Sequence, residues 1–585
     1  MISSKYKLLA AVVAFAGVQV HAACEPEISF PAPEYNNTTL DHVFKIIDGN
    51  LNTAIVAGDF NGTSFSLEIS SSKETMHTKY HFDESLGGSP INESSIYRIA
   101  SNTKIFTALG IIRLEAAGKL SLDDEVTDYI PKLLDGAGKI SWKGITIRSL
   151  LSHSSGIPDN CGFLSFLNID PSPGTDFLFG QDGDEDLALL LSDPSVVGLP
   201  PLTESQSKQL PKCDAYTDYE VPCTADDFVN GLHHLTPVFA PQKESSYSNV
   251  GFDLLGQVIS NVSRIRYEDY ITKTIINPLG LHNTSFDVPD SLSAASAGPN
   301  SDWGHDAGAG NPGGGLYSSS SDMIKFLRWI LSNYKHLSPT MNWLQPAAWN
   351  TGSHSLLGYP WEIFRTTDIL PKTKRPVTFY TKGGGLTGYY SYSIIIPQYN
   401  IVLFMAVAGD LTALNTIFTQ ILNPLVIAAE AEAMSQLKYT YAGVYESAKK
   451  SLNSSITLTQ TDPRALHITS WISNSTDVLA SLIPLVAAKA GTSGDMYLQL
   501  QPTFEKRHRD GLVGEVWRFI NVIDDYDLPT NATTVWNDYC VSNVDPLSYG
   551  TVPLNEAVFW RKSTDSNSPV TDVTLSAFRV DLKRK

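Results

Sequence analysis

The 585-residue sequence predicts an α+β body followed by an all-β C-terminal domain. Three patterns carry this expectation. The run Ile105, Phe106, Ala108, Leu109, Ile111, Ile112 and Leu114 is apolar on more faces than an exposed helix tolerates, so a helix buried in a core is expected there. Tyr389 to Pro397 reads as a strand behind a glycine run. Beyond a largely helical stretch from Leu411 to Leu437, the pattern changes to short alternating segments separated by turns.

At the N-terminus, Lys5 and Lys7 precede an apolar run from Leu8 to Val20 and the end Val20-His21-Ala22. That is the pattern of a cleaved secretory signal over residues 1–22, and it is too short to span a bilayer. No later stretch reads as long and apolar enough to do so, so no membrane insertion is expected. A bacterial lipobox ending at Cys24 fits less well, because His21 stands in the usual leucine position. Asn36, Asn37, Asn61, Asn92, Asn261, Asn283, Asn453, Asn474 and Asn531 open glycosylation sequons, as in a eukaryotic secreted, extracellular glycoprotein. Five cysteines are few for this length, so the core is not built on disulfides. Cys213 and Cys223 flank a polar loop and are expected to pair, with Cys161 joining Cys24 or Cys540.

The formal net charge of -19, from 42 basic and 61 acidic residues, opposes binding to nucleic acid or anionic membranes. No Cys/His cluster has zinc spacing, and no phosphate-binding glycine loop joins a strand to a helix. Neither a metal nor a cofactor is therefore expected. The sequence sets no oligomeric state.

Ser101-Asn102-Thr103-Lys104 opens the first apolar run. Residues three apart share one helical face, so the Lys104 amine can lie close to the Ser101 oxygen. Burial there lowers the lysine pKa and frees a neutral amine to take the serine proton, while the Ser101 backbone N–H can serve a developing oxyanion. Other S-x-x-K matches, such as those beginning at Ser70, Ser205, Ser332 and Ser447, open no such run. Alone, the motif also fits an N-capping serine followed by a solvated lysine.

Tyr247-Ser248-Asn249 precedes a second apolar run, Leu254, Leu255, Val258 and Ile259. A tyrosine on a loop before a helix can present its phenol to a cleft, and Asn249 can hold a substrate carbonyl or the lysine. Tyr247 alone also fits a packing residue with a wet hydroxyl. Lys382-Gly383-Gly384-Gly385 lies just before the Tyr389 strand. Glycines let a ligand approach a strand edge, and the Gly385 N–H could complete an oxyanion hole, although a glycine run also fits a hairpin turn.

S-x-x-K, Y-x-N and K-x-G in this chain order resemble the motifs of the penicillin-recognising serine hydrolases, which include class C β-lactamases, D-alanyl-D-alanine carboxypeptidases and related esterases. Leu150-Leu151-Ser152-His153-Ser154-Ser155-Gly156-Ile157, Asn277-Pro278-Leu279-Gly280-Leu281 and Gly313-Gly314-Gly315-Leu316-Tyr317-Ser318 extend the resemblance across residues 40 to 430. The resemblance implies an α/β sandwich with an antiparallel sheet that carries Lys382, a helical subdomain that begins at Ser101, and a site in the cleft between them. It implies Ser101 as nucleophile, Lys104 as its base and Tyr247 as proton relay to the leaving group. Asn249, Lys382 and Gly384 become substrate-binding positions and Gly385 the oxyanion donor, while His153 packs beneath the site. Gly383 departs from the pattern, because β-lactamases carry there a Thr or Ser whose hydroxyl helps bind the substrate carboxylate. Esterase-like members often have glycine.

The expected domains are a hydrolase domain over 23–435 and an all-β domain, barrel or sandwich, over 436–585. The Tyr441-Ala442-Gly443-Val444-Tyr445 start of the latter is similar to lipocalin-like domains appended to some β-lactamase-like hydrolases. Residues 159–241, rich in Pro, Asp and Gly, read as a cap shaping substrate access or as a decorative insertion. The implied activity is acyl transfer from an ester, amide or lactam of a small molecule or peptide through an acyl-serine. Transfer to an alcohol is the neighbouring reading. A non-catalytic binding protein is the reading from another class, and the intact Ser101, Lys104 and Tyr247 set argues against it.

Overall fold

The computed structural model describes residues 27–36, 38–136, 138–159, 200, 203, 205, 222–289, 293–298, 301–304, 306–373, 375–490, 495–524, 548–562 and 568–585. The expected signal peptide, Cys24, Cys161, Cys213 and Cys540 of the expected cysteine pairings, and most of 159–241 lie outside these residues; Cys223 lies within them and is disulfide-bonded. The chain divides into two compact units, one of Tyr35–Thr366 with Thr378–Val426, the other of Met1–Glu34, Thr367–Val377 and Ile427–Lys585.

The first unit is built on an eight-stranded sheet. In chain order its strands are β1 (Ser64–Ser70) and β2 (Thr75–His81), then, after a separate pair β3 (Ile96–Arg98) and β4 (Tyr317–Ser319), β5 (Ala348–Trp349), β6 (Ser355–Leu357), β7 (Glu362–Thr366), β8 (Val377–Leu386), β9 (Tyr389–Ile396) and β10 (Ile401–Ala408). The spatial order is β2-β1-β10-β9-β8-β7-β6-β5. β1 pairs antiparallel with β10, β10 with β9 and β9 with β8. Every residue of β1, β9 and β10 is buried. A sheet covered on both faces explains why these strands read as continuous apolar runs rather than as alternation.

Helix α1 (Asp41–Ala57) buries Val43, Phe44, Ile47, Leu51 and Ala54, a stripe at helical spacing, and Phe44 stacks on His77 of β2 at 4.7 Å. Helix α2 (Thr103–Ala116) buries all but two of its side chains, as its apolar density predicted. Around it stand α3 (Asn249–Ser263) and α4 (Asn311–Gly314). A Cβ on Gly110 of α2 would come within 2.9 Å of Ile271 and 3.0 Å of Ile259, so the glycine permits a close helix crossing. Helix α5 (Ser320–Asn333) packs on β1 and β10.

One alternative falls away here and one expectation changes. The run of three glycines is no turn: it lies inside β8, in register with Tyr390 to Tyr392 of β9, and the reversal falls at Thr387-Gly388, where Gly388 has φ 81°. The expected absence of a later membrane-length stretch is also overturned. Helix α6 (Thr412–Tyr441) holds an 18-residue window of mean hydropathy 1.3, long and apolar enough by length and composition. That window is 44% buried, and Phe418 packs edge-on against Tyr392 at 4.7 Å, as in a core helix.

The second unit carries β11 (Gly443–Ser447), β12 (Ser455–Thr461), β13 (Arg464–Ser473), β14 (Thr476–Asp477), helix α7 (Val478–Ala490), β15 (Asp495–Arg509), β16 (Leu512–Asp524), a ribbon of β17 (Ser548–Tyr549) and β18 (Val552–Pro553), β19 (Glu556–Arg561), β20 (Asp572–Leu575) and β21 (Val580–Arg584). The order β12-β11-β21-β20-β19-β16-β15-β13 closes through β12–β13 pairing, which makes an eight-stranded antiparallel barrel. Closure removes the edges a sandwich would leave exposed. Asp510 and Gly511 turn β15 into β16 with φ 50° and 76°, the backbone that Asp-Gly favours in a hairpin. Helix α7 was not expected. The last two strands, β20 and β21, form an antiparallel hairpin.

Candidate active site

Ser101 occupies a 3₁₀ turn, Ala100–Asn102, that leads directly into α2. Ala100 has φ 46°, a left-handed conformation that a side chain makes costly, and such strain collects at working sites. The turn lies against the sheet. Ser391 of β9 donates its hydroxyl to the Ile99 carbonyl at 2.9 Å and accepts from the Asn102 amide at 2.8 Å. A Cβ on Gly384 would stand 2.3 Å from the Ile99 oxygen and 3.0 Å from the Ser101 nitrogen. The missing side chain therefore lets β8 press against the backbone of the Ser101 turn. Gly385 follows, partly exposed and opposite Tyr390.

Lys104 is fully buried. Its Nζ donates to Ser101 Oγ at 3.0 Å, Asn249 Oδ1 at 2.5 Å and the Gly313 carbonyl at 2.6 Å. Burial lowers its pKa to about 7, helped by the Lys382 charge and opposed by Asp253, Asp159 and Glu362. A lysine with its proton so loosely held, 3.0 Å from a half-exposed serine, is equipped to act as that serine's base.

Tyr247 stands on the loop before α3, as its sequence position predicted, and Ser248 caps the helix by accepting from the Gly251 N–H at 3.0 Å. The half-buried Tyr247 ring is approached by two amines, with Lys104 Nζ 5.1 Å and Lys382 Nζ 4.9 Å from its centroid. His153 stacks beneath at 4.5 Å, and its Nδ1 accepts the Ser248 backbone N–H at 3.1 Å. Burial and the nearby Lys104 and Lys382 charges hold the His153 pKa well below its ordinary value, so the imidazole is neutral.

Lys382 is held by Glu362 of β7 through its Nζ at 2.5 Å, and the other Glu362 oxygen accepts the Gly383 N–H at 2.9 Å. Ser101, Lys104, Tyr247, Asn249, Lys382 and Gly384 thus converge through direct contacts, with Gly385 beside them in β8. Sequence reasoning missed Glu362, a lone acid with no motif around it. It also missed Asp253, whose one available signal was an acid inside an otherwise apolar helical run, and the use of the Gly313 carbonyl. Among the described residues, no group of three or more His, Cys, Asp or Glu is placed to hold a metal ion.

The Beta-lactamase family model matches residues 67–416, and a second, described as Beta-lactamase-like-like, C-terminal domain, matches residues 433–585. The chain is 33% identical to "Probable hydrolase clz13" of Cochliobolus lunatus over 99% of its own length and 94% of the relative's. It is likewise 33% identical to "Probable hydrolase M10" of a Phoma species, over 98% and 93% of the two chains. Among solved structures, a β-lactamase/D-alanine carboxypeptidase of Yersinia pestis aligns over 67% of this chain and 99% of that one, with a TM-score of 0.46 and 20% identity.

Proposed function

This chain belongs to the beta-lactamase family of hydrolases, and on that premise we propose that it is a secreted serine hydrolase acting through an acyl-serine. The observation that carries the reading is the buried Lys104, its pKa lowered to about 7, with Nζ 3.0 Å from Ser101 Oγ. In the first step Ser101 Oγ bonds to the substrate carbonyl carbon and its proton passes to Lys104. The oxyanion is held by the Ser101 and Gly385 N–H groups. As the carbonyl re-forms, the bond to the leaving group breaks, and that group takes a proton relayed through Tyr247. Water then adds to the acyl carbon, gives up a proton by the same route, and releases the acid and Ser101.

Asn249 and Lys382 orient the substrate, and Gly384 keeps β8 against the nucleophile. The substrate is an ester, amide, lactone or lactam of a small molecule or peptide. Gly383, with no hydroxyl for a carboxylate, favours esters over β-lactams. Catalysis is assigned to 23–435, with 159–241 shaping access, and the barrel of 436–585 is appended to it.

The test uses mature protein, a fluorophosphonate probe, a fluorescent penicillin and a panel of p-nitrophenyl esters, read by intact mass beside Ser101→Ala. One adduct on the native chain and none on the variant is the expected result. Equal labelling or turnover in Ser101→Ala would overturn the reading.

A further inference from the structure

Asp253 lies on α3 one turn beyond Asn249 and is 4% exposed. Its Oδ1 is buried without a hydrogen-bond partner, while the carboxyl takes a backbone hydrogen bond from Gly313. A Cβ built on Gly313 would stand 2.9 Å from that oxygen and 3.7 Å from Lys104 Nζ, so both ionisable groups face one glycine that has no side chain to separate them. The Gly313 carbonyl receives Lys104 Nζ at 2.6 Å. Gly313 thus stands against both groups, its N–H favouring the Asp253 carboxylate and its C=O accepting from Lys104.

The charged and titratable groups facing Lys104 come from several elements: Lys382 on β8, Glu362 on β7, Asp159 in the loop after His153, Asp253 on α3, and the neighbouring His153 and Tyr247. Lys382 opposes a charge on Lys104, whereas the three acids favour one. Glu362 is engaged with Lys382 and Gly383, and Asp159 accepts the Asn249 N–H at 3.0 Å. Asp253 keeps a buried oxygen uncommitted on the Lys104 side.

We propose that Asp253 is a positioning residue and counter-ion for Lys104: it steadies the Gly313 peptide that orients the amine, and its carboxylate balances the ammonium formed when Lys104 takes the Ser101 proton. The inference rests on the serine acyl-transfer reading above. Asp253 itself forms and breaks no bond to substrate. Burial raises its own pKa, because a lone carboxylate is poorly tolerated there, and the Lys104 charge opposes that rise, so each charge favours the other. An acid so placed is otherwise costly, since buried acids persist where something pairs with them.

Asp253→Asn keeps the volume and an oxygen for Gly313 but removes the charge. The carboxylate raises the Lys104 pKa, so its loss lowers that pKa, and the free amine, the active form, persists to lower pH. The acid limb of kcat/KM for a p-nitrophenyl ester is expected to move down by on the order of one pH unit, with the plateau falling about tenfold because the ammonium is less well stabilised. The Lys104 titration, followed by NMR in isotope-labelled lysine protein and assigned with Lys104→Met, is expected to move the same way, with Tm showing that Asp253→Asn folds. An unmoved limb and an unmoved Lys104 titration would overturn the proposal and leave Asp253 a packing residue, whether or not the rate falls. Failure of the serine reading looks different: the native chain itself takes no fluorophosphonate at Ser101, and the NMR titration still decides the role of Asp253.

Discussion

Lys104 is the residue on which the proposed mechanism turns, because burial favours its neutral form, the form that can act as a base. Replacing it by Met keeps the stem and deletes the amine, so acylation of Ser101 is expected to slow by about 10³-fold with little loss of Tm, as measured by fluorophosphonate labelling rate. In the native chain the free amine gains population as pH rises through about 7, so the labelling rate should climb across that value and level off above it. A rate flat from pH 5 to 9 would mean that Lys104 is not the base. His153 makes the converse prediction for stability. Its folded pKa lies below its unfolded one, so the unfolded chain binds the extra proton and stability falls as pH drops below the ordinary histidine range. His153→Gln is expected to reduce the acid-side loss of Tm by the equivalent of up to about 1.4 kcal/mol per pH unit, seen by calorimetry between pH 7 and 5.

Two elements owe their geometry to contacts that no local pattern announces. Strand β8 reaches the nucleophile turn because position 384 has no Cβ, and a methyl there would meet the Ile99 carbonyl oxygen at 2.3 Å. Gly384→Ala is expected to push β8 away, cutting the Ser101 labelling rate at least tenfold at a stability cost of about 1–3 kcal/mol. Normal labelling in this variant would show that β8 can yield without disturbing Ser101. In the second unit, Arg584 of β21 donates to the carbonyls of Tyr439 at 3.2 Å, Thr440 at 3.1 Å and Ala442 at 2.5 Å, closing the end of α6 where main-chain donors run out. Arg584→Met is expected to cost about 1–3 kcal/mol, read as a lower denaturation midpoint of the barrel unit by near-ultraviolet circular dichroism.

For the whole molecule, secretion and glycosylation are expectations of the sequence. Asn36, Asn61, Asn92, Asn261, Asn453 and Asn474 are exposed, as acceptor asparagines must be. The mature chain from a eukaryotic host is expected to begin at Ala23 and to lose mass on treatment with peptide N-glycosidase; an intact Met1 with no mass change would remove the extracellular assignment. Much of the architecture was legible at this scale. The density of the Ile105–Leu114 run announced a buried helix, and the alternation after residue 437 announced an all-β domain, because periodicity is a local consequence of which faces are dry. Alternation is the same in a sandwich and a barrel. Only the pairing of β12 with β13 distinguishes them, and helix α7, apolar without strand alternation, lies inside that run.

The sequence by itself determined which positions make up the candidate site, Ser101, Lys104, the Tyr247 loop and the glycine strand, since each is a short motif whose chemistry needs fixed spacing along the chain. Tertiary structure alone decided what surrounds them. Glu362 meets Lys382, Asp253 meets Lys104 through Gly313, and Gly384 meets Ile99 across distances in sequence that no spacing rule encodes. The physical reason is that proton affinity and close approach depend on how many atoms crowd a group and which charges they bring, and those neighbours exist only once the chain has folded.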